Sequence, residues 1–245
     1  MQVKEVLERT HDTFVSDGTV DEEDLLWAAQ CAVGLRSLVD DFDLDVLAYY
    51  YRGLGGELYE RLGAGLILGC SLLTADGIPC AGEYDLRTAL SMLVMERLGA
   101  GGSFTELQAL NCDDGVVEMG HDGPGHLALT DDKPALRGLG VFHGKRGFGV
   151  TVEFNVRPGP VTLLGLAQQA DGAFRLVVAE GETVPGPTLQ IGNTTSRVDF
   201  GRDPGEWVDD WCQGGTAHHW ALGTGHQGTT LAKVADLCKL DFWKV

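Results

Sequence analysis

Glu83 in Gly82-Glu83-Tyr84-Asp85, Glu106 in Ser103-Phe104-Thr105-Glu106, His121 and His126 in His121-Asp122-Gly123-Pro124-Gly125-His126, and the pair His218-His219 all lie at the borders of apolar runs. Two carboxylates and two imidazoles suit a divalent ion of intermediate hardness, such as Mn²⁺, with Mg²⁺ or Co²⁺ as substitutes. Paired glutamates are also the usual means of moving a proton between adjacent carbons. Together these residue types point to metal-dependent chemistry on a hydroxylated substrate such as a small sugar.

Each candidate also has a plainer reading. Glu83 precedes a predicted helix, where a carboxylate is favoured by the helix dipole alone. Asp85 reads as the cap of that helix, with Thr88 nearby. Glu106 shares a strand face with Phe104, and an inward acid among apolar neighbours needs a partner to offset its desolvation. His121 follows Val116-Val117-Glu118-Met119-Gly120 and emerges at a strand end, where it either meets a metal or bonds Asp122. His126 is either an alternative ligand or a contact to substrate hydroxyls. In an extended segment His218 and His219 point oppositely, so one is expected as ligand and the other as a substrate contact. His143, His226 and His11 receive no role, and Lys145 and Arg146 read as a charged turn. Gly53-Leu54-Gly55 lacks the third glycine and the acid of a dinucleotide fingerprint, which excludes NAD binding.

The elements that must position these residues follow from periodicity. Asp21 opens a helix with apolar positions Leu25, Ala28, Ala32, Leu35 and Leu38, ending at Asp40-Asp41. Asp45 to Tyr51 reads as a buried parallel strand, broken by Gly53, Gly55 and Gly56. A helix over about 58–74 with Gly77 as its stop, a brief strand at Ile78 to Ala81 and a helix over about 86–98 complete an α/β pattern. Glu83 then lies at the carboxyl end of a strand, where α/β folds bind ligands. Beyond Gly99 the chain reads as mostly β, with strands over 103–111, 116–119, 148–156, 161–168 and 174–179 and a hairpin turn at Asp171-Gly172. Helices over 204–212, capped by Asp203, and 229–238 precede a closing strand at 240–243. The expected fold is α/β (α+β): residues 1–122 form a partial parallel α/β portion, and residues 123–245 a mostly antiparallel, β-barrel-like domain with two helices.

The sequence has 245 residues, 44% of them hydrophobic, so it can bury a substantial core. Thirty-six acidic against eighteen basic residues leave a net charge of −18, which disfavours nucleic acid and anionic membranes as partners. No apolar stretch reaches transmembrane length, and the start lacks a signal-peptide pattern, so a cytoplasmic location is expected. The cysteines at 31, 70, 80, 112, 212 and 238 have no Cys-x-x-Cys spacing and read as reduced core residues.

Ala81 to Leu90, Gly102 to Glu106 and Gly214-Gly215-Thr216-Ala217-His218-His219 together resemble, in order, motifs of the L-arabinose isomerase family. That family carries Gly-Glu-Gly-Asp, Ser-Phe-Met-Glu, a histidine after the next strand, and Gly-Gly-Ala-His-His. The resemblance runs from about Leu62 to the C-terminus and implies Mn²⁺ ligands at Glu83, Glu106, His121 and His219. It implies an aldose–ketose isomerase that works through a cis-enediol on a pentose or 6-deoxyhexose, with Glu83 and Glu106 as acid and base and His126, His218 and Asp122 near substrate. The stretch His121 to His126 is glycine-rich and closer in style to the fucose isomerase relatives. Family members are much longer, and a neighbouring subunit helps close their active sites. A homo-oligomer is therefore expected, and the chain reads as a C-terminal fragment or a natural short form. The competing expectation is a non-catalytic sugar- or metal-binding module.

Overall fold

Every helix whose start the sequence marks with an acid begins where that acid caps it. In the computed structural model, which describes residues 2–50, 57–139, 141–142, 145–146, 148–187, 189 and 192–245, Asp21 accepts from the amides of Glu23 and Asp24 and opens helix α2 (Glu22–Phe42). Asp85 does the same for α4 (Leu86–Arg97) and Asp203 for α5 (Pro204–Gly214). Each carboxylate satisfies amides the helix itself leaves unpaired. A leading helix α1 (Val3–Thr13), α3 (Glu57–Ala75) and α6 (Gly228–Cys238) complete the set of six among the described residues. Gly77, at φ +81°, stops α3 as expected. Gly53, Gly55, Gly56 and His143 lie outside the described residues.

The first strands are short. The aromatic run at 45–51 yields only β2 (Leu47–Ala48), which pairs in parallel with β3 (Cys80–Ala81); the remaining residues up to Tyr50 are not strand. Bonds from the Leu47 amide to the Pro79 carbonyl and from the Tyr49 amide to that of Ala81 extend the pairing slightly and deliver the chain to Gly82 and Glu83. β1 (Val15–Ser16) joins the main sheet instead, in parallel with β6 (Ala135–Gly138).

That main sheet has ten strands and is mixed. It contains β4 (Ser103–Asn111), β5 (Val116–Asp122), β9 (Val150–Asn155), β10 (Gly159–Gln168), β11 (Phe174–Thr183), β12 (Asn193–Asp199), β13 (His219–Thr224) and β14 (Asp241–Lys244), while β7 (Val141–Phe142) and β8 (Lys145–Arg146) pair separately. β12, β5, β4, β13, β10 and β11 follow one another as neighbours, and β11 pairs again with β12, so six antiparallel strands form a ring. The mixed α/β class thus matches expectation, and β4 and β5 share this sheet with strands from the second half of the chain. Gly172, at φ +88°, sits in the turn between β10 and β11.

Strand alternation sorts the ring's side chains into two cores. Trp220 and Leu222 of β13, Leu163 of β10, and Val177 and Ala179 of β11 pack together with Trp207 of α5. Ala221, Leu164, Leu176, Val178 and Phe104 pack on the opposite face, against Met92 and Met95 of α4 and Leu231 and Ala235 of α6. His219 has the same parity as Ala221, so β13 turns it toward α4. The cysteines divide: Cys31, Cys70 and Cys80 are buried, but Cys112, Cys212 and Cys238 are exposed. This corrects the reading of all six as core residues. The exposed three lie at a strand end and on helix faces turned to solvent, where spacing alone gives no burial signal.

Candidate active site

Three strands and one helix start build the centre. β13 pairs with β4 so that His219 stands opposite Glu106, and β4 pairs with β5 so that Glu106 stands opposite Gly120. His121 is the next residue and stays inside β5, beside its end. Gly120 permits that register, because a Cβ there would lie 2.2 Å from the Thr194 carbonyl oxygen of the adjacent β12. No side chain can be accommodated at so close a backbone approach. Phe104, two residues before Glu106, wedges between the imidazoles, its ring centre 4.6 Å from each of those of His121 and His219.

Glu83 comes from the turn between β3 and α4. Glu83 and Tyr84 both adopt left-handed backbone, at φ +55° and +58°. This conformation is costly for residues with a Cβ and persists only where surrounding structure enforces it. The Tyr84 amide donates to the Tyr49 carbonyl and the Asp85 amide to that of Gly82, and these bonds hold the turn. Its effect is to swing the Glu83 carboxylate over the two histidines: Oε1 lies 3.8 Å from His121 Nε2 and Oε2 lies 3.6 Å from His219 Nε2. Glu106 Oε2 approaches the same His219 nitrogen at 3.8 Å.

The other ring nitrogens are taken. His219 Nδ1 donates to Asp85 Oδ2 at 3.1 Å, and His121 Nδ1 donates to the Asp122 carbonyl oxygen at 2.5 Å. In the neutral rings these bonds put the proton on Nδ1 and turn both Nε2 atoms inward. Both histidines are buried, and among the described residues neither Nε2 has a hydrogen-bond partner. Leaving a buried polar atom unmatched costs roughly 1–3 kcal/mol. Several indole nitrogens are unmatched as well, but they are donors only, whereas an imidazole lone pair can bind a cation. Donor atoms of Glu83, His121 and His219 lie within 4.8 Å of one another, as do those of Glu106, His218 and His219. The two groups share His219, and each brings together donors of the type that hold a divalent ion.

Without a cation, the same proximities draw protons toward the His121 imidazole and away from the carboxylates. The His121 imidazole, then those of His219 and His218, hold the Glu83 carboxyl below its ordinary value against a smaller opposing effect of burial. Burial works hardest to raise Asp85, but the His219 bond and the amide and hydroxyl of Thr88 outweigh it and keep it well below the carboxylate range. Burial depresses His121, yet Glu83, Asp122 and Glu106 together leave it above the usual imidazole value.

Four expected positions, Glu83, Glu106, His121 and His219, therefore meet. His218 joins them in a way the alternation argument excluded: it precedes β13 in a bend, so its ring lies tilted against that of His219, centres 4.0 Å apart, and its Nε2 lies 3.3 Å from Glu106 Oε2. Asp122 touches the centre through its carbonyl and through Oδ1, 3.5 Å from His121 Nδ1. His126 turns elsewhere, with Nε2 bonded to Glu96 at 3.0 Å and Nδ1 accepting from the Ala128 amide. Sequence reasoning missed the second role of Asp85 and the Phe104 wedge. The spacing of Phe104 and Glu106 on one strand face was the available signal for the latter.

Residues 127–244 match the L-fucose isomerase C-terminal domain family. The matched stretch includes His218 and His219, while Glu83, Glu106 and His121 precede it. Over 196 residues, 79% of this chain and 43% of the relative, it is 27% identical to a protein from Alkalicoccus urumqiensis named sulfoquinovose isomerase. A protein of the same name from Priestia aryabhattai is 23% identical over 87% of this chain and 47% of its own length. An L-arabinose isomerase from a Nocardioides strain is 28% identical over 88% of this chain and 43% of its own. The chain spans less than half the length of these curated relatives. Among the described residues no helix is long and apolar enough to cross a membrane.

Proposed function

We propose that this chain is the catalytic part of a metal-dependent aldose–ketose isomerase. The observation that carries the proposal is the pair of buried imidazole nitrogens, His121 Nε2 and His219 Nε2, which lack a hydrogen-bond partner among the described residues and face the Glu83 carboxylate, with Glu106 also beside His219. Those four residues would hold the ion, with Mn²⁺ the best match to a mixed carboxylate and imidazole donor set and Mg²⁺ or Co²⁺ as substitutes. A bound divalent cation supplies stabilisation of negative charge on the sugar's oxygens.

The protein's own groups do the rest. Isomerisation removes a proton from C2, adds one at C1 and shifts one between the two oxygens, through a cis-enediol. Glu83 is ionised at neutral pH and can accept a proton; Glu106, on the other flank of His219, can deliver one, and His218 beside it offers a path to solvent. Asp122 and His218, both partly exposed beside the centre, would meet sugar hydroxyls. The relatives' names widen the sugar class from pentoses and 6-deoxyhexoses to a sulfonated hexose. Glu83, Tyr84 and Leu86 are exposed beside the centre, which favours a homo-oligomer whose second chain covers them.

The test is a Mn²⁺ titration by calorimetry followed by incubation of the loaded protein with aldoses in deuterated water. Ketose formation with deuterium at the exchanged carbon is expected, and Glu83→Gln or Glu106→Gln should abolish the exchange while weakening Mn²⁺ less than His219→Ala does. Tight Mn²⁺ binding without turnover would identify a binding module instead, and absence of Mn²⁺ binding would overturn the site.

A further inference from the structure

Asp85 ends in two oxygens with separate duties. Oδ1 accepts from the amides of Arg87 and Thr88, each at 3.0 Å, and so caps α4. Oδ2 accepts from the Thr88 hydroxyl at 2.7 Å and from His219 Nδ1 at 3.1 Å. The carboxylate is thereby held by a helix N-terminus on one side and applied to an imidazole on the other. α4 packs across β13 on the face that carries His219, Ala221 and Gly223, and a Cβ at Gly223 would lie 2.4 Å from the Met95 methyl near the helix's far end. The helix is thus seated at both ends of that strand, and its cap is delivered to the ring.

We propose that Asp85 is the positioning residue that makes His219 a cation ligand, by fixing the proton on Nδ1 and leaving the Nε2 lone pair directed at Glu83 and Glu106. The inference rests on the proposed metal centre but deepens it, because it assigns the tautomer of one ligand to a helix cap. A carboxylate oxygen can only accept at this position, so Nδ1 must donate. If the acceptor became a donor, the proton would move to Nε2 and occupy the site itself.

Asp85→Asn provides that exchange with little structural cost. Asparagine caps helices about as well as aspartate, so its oxygen can keep the Arg87 and Thr88 amides while its NH₂ faces His219. The expected result is a Mn²⁺ affinity lowered about 10–100-fold by calorimetry, with an unchanged helical circular dichroism spectrum. Asp85→Ser, which keeps a cap but whose shorter side chain withdraws the acceptor from Nδ1 without aiming an amide donor at it, should fall between the variant and the wild type. Nitrogen-15 NMR of the metal-free wild type should show His219 protonated at Nδ1, and Asp85→Asn should move the proton to Nε2. A wild-type His219 protonated at Nε2, or an Asp85→Asn protein binding Mn²⁺ as tightly as wild type, would overturn the proposal. Failure of the wild type to bind Mn²⁺ would instead overturn the proposed function, and the NMR measurement would still decide the tautomer.

Discussion

His126 and His219 are both buried histidines next to a carboxylate, yet only one is open to a ligand. His126 uses both ring nitrogens: Nε2–H donates to Glu96, and Nδ1 accepts from the Ala128 amide at the start of a 3-10 turn over Leu127–Leu129. Its backbone amide is engaged too, donating to Ser103 Oγ. His219 and His121 each use one nitrogen, Nδ1, and leave Nε2 bare in a buried setting. The ring and its burial are the same in each case. The difference is that the fold presents a second hydrogen-bond partner to His126 and withholds one from the other two. A histidine is marked as a ligand by what its neighbours leave unsatisfied.

The sharpest way to break this contrast is to remove each ring in turn. His219→Ala should lower Mn²⁺ affinity by about 100-fold or more, since it removes a ligand outright rather than an outer partner of one. His126→Ala should leave that affinity within about threefold but cost about 2 kcal/mol of stability, because it removes a buried ring and with it the partner of the Glu96 carboxylate and the Ala128 amide. Calorimetry and thermal unfolding of both variants give the four numbers, and equal losses of affinity would erase the distinction.

Metal linkage should separate the two regions next. Mn²⁺ at 100 times its dissociation constant should stabilise the wild type by about 2.7 kcal/mol, with a chelator reversing the gain. The same excess should still stabilise His126→Ala but should add no more than about 0.4 kcal/mol to His219→Ala at that concentration. Gly120→Ala should cost about 2 kcal/mol, since the added methyl meets a backbone carbonyl that cannot move alone, and should weaken Mn²⁺ binding by displacing His121. An unfolding midpoint equal to that of wild type would show that β5 tolerates a different register.

The smallest effect is acid sensitivity. Asp85 has a folded-state pKa below its unfolded one, so it contributes stability that is present above about pH 4 and is lost as pH falls through the folded value. Metal-free wild type should therefore lose stability faster than Asp85→Asn on the acid limb of a stability–pH curve. Parallel curves would mean that the His219 bond does not hold the carboxylate ionised.

Much of the local structure was legible. Asp21, Asp85 and Asp203 announced their helices because a short acceptor ahead of an apolar period has one favourable use. Gly77 and Asp171-Gly172 announced a stop and a turn because left-handed backbone favours glycine. β12, Asn193-Thr194-Thr195-Ser196-Arg197-Val198-Asp199, was not read as a strand: its buried positions include Thr194, Thr195 and Ser196, so no apolar alternation exposes it. It is held by backbone bonding to β5, β9 and β11, which no local pattern encodes. Likewise the opposite pointing of His218 and His219 would follow from an extended chain, and the bend before β13 cancels it.

The sequence by itself determined which groups could do chemistry, Glu83, Glu106, His121 and His219, and where the helices that carry and flank them begin, since residue type and cap preference act over a few positions. Only the tertiary structure decided which histidines stay unsatisfied, because that depends on strand register and on a helix end arriving at a ring 134 positions away in the chain. Hydrogen-bond partners at such separation are chosen by packing, and packing placed Asp85 against His219 and Glu96 against His126.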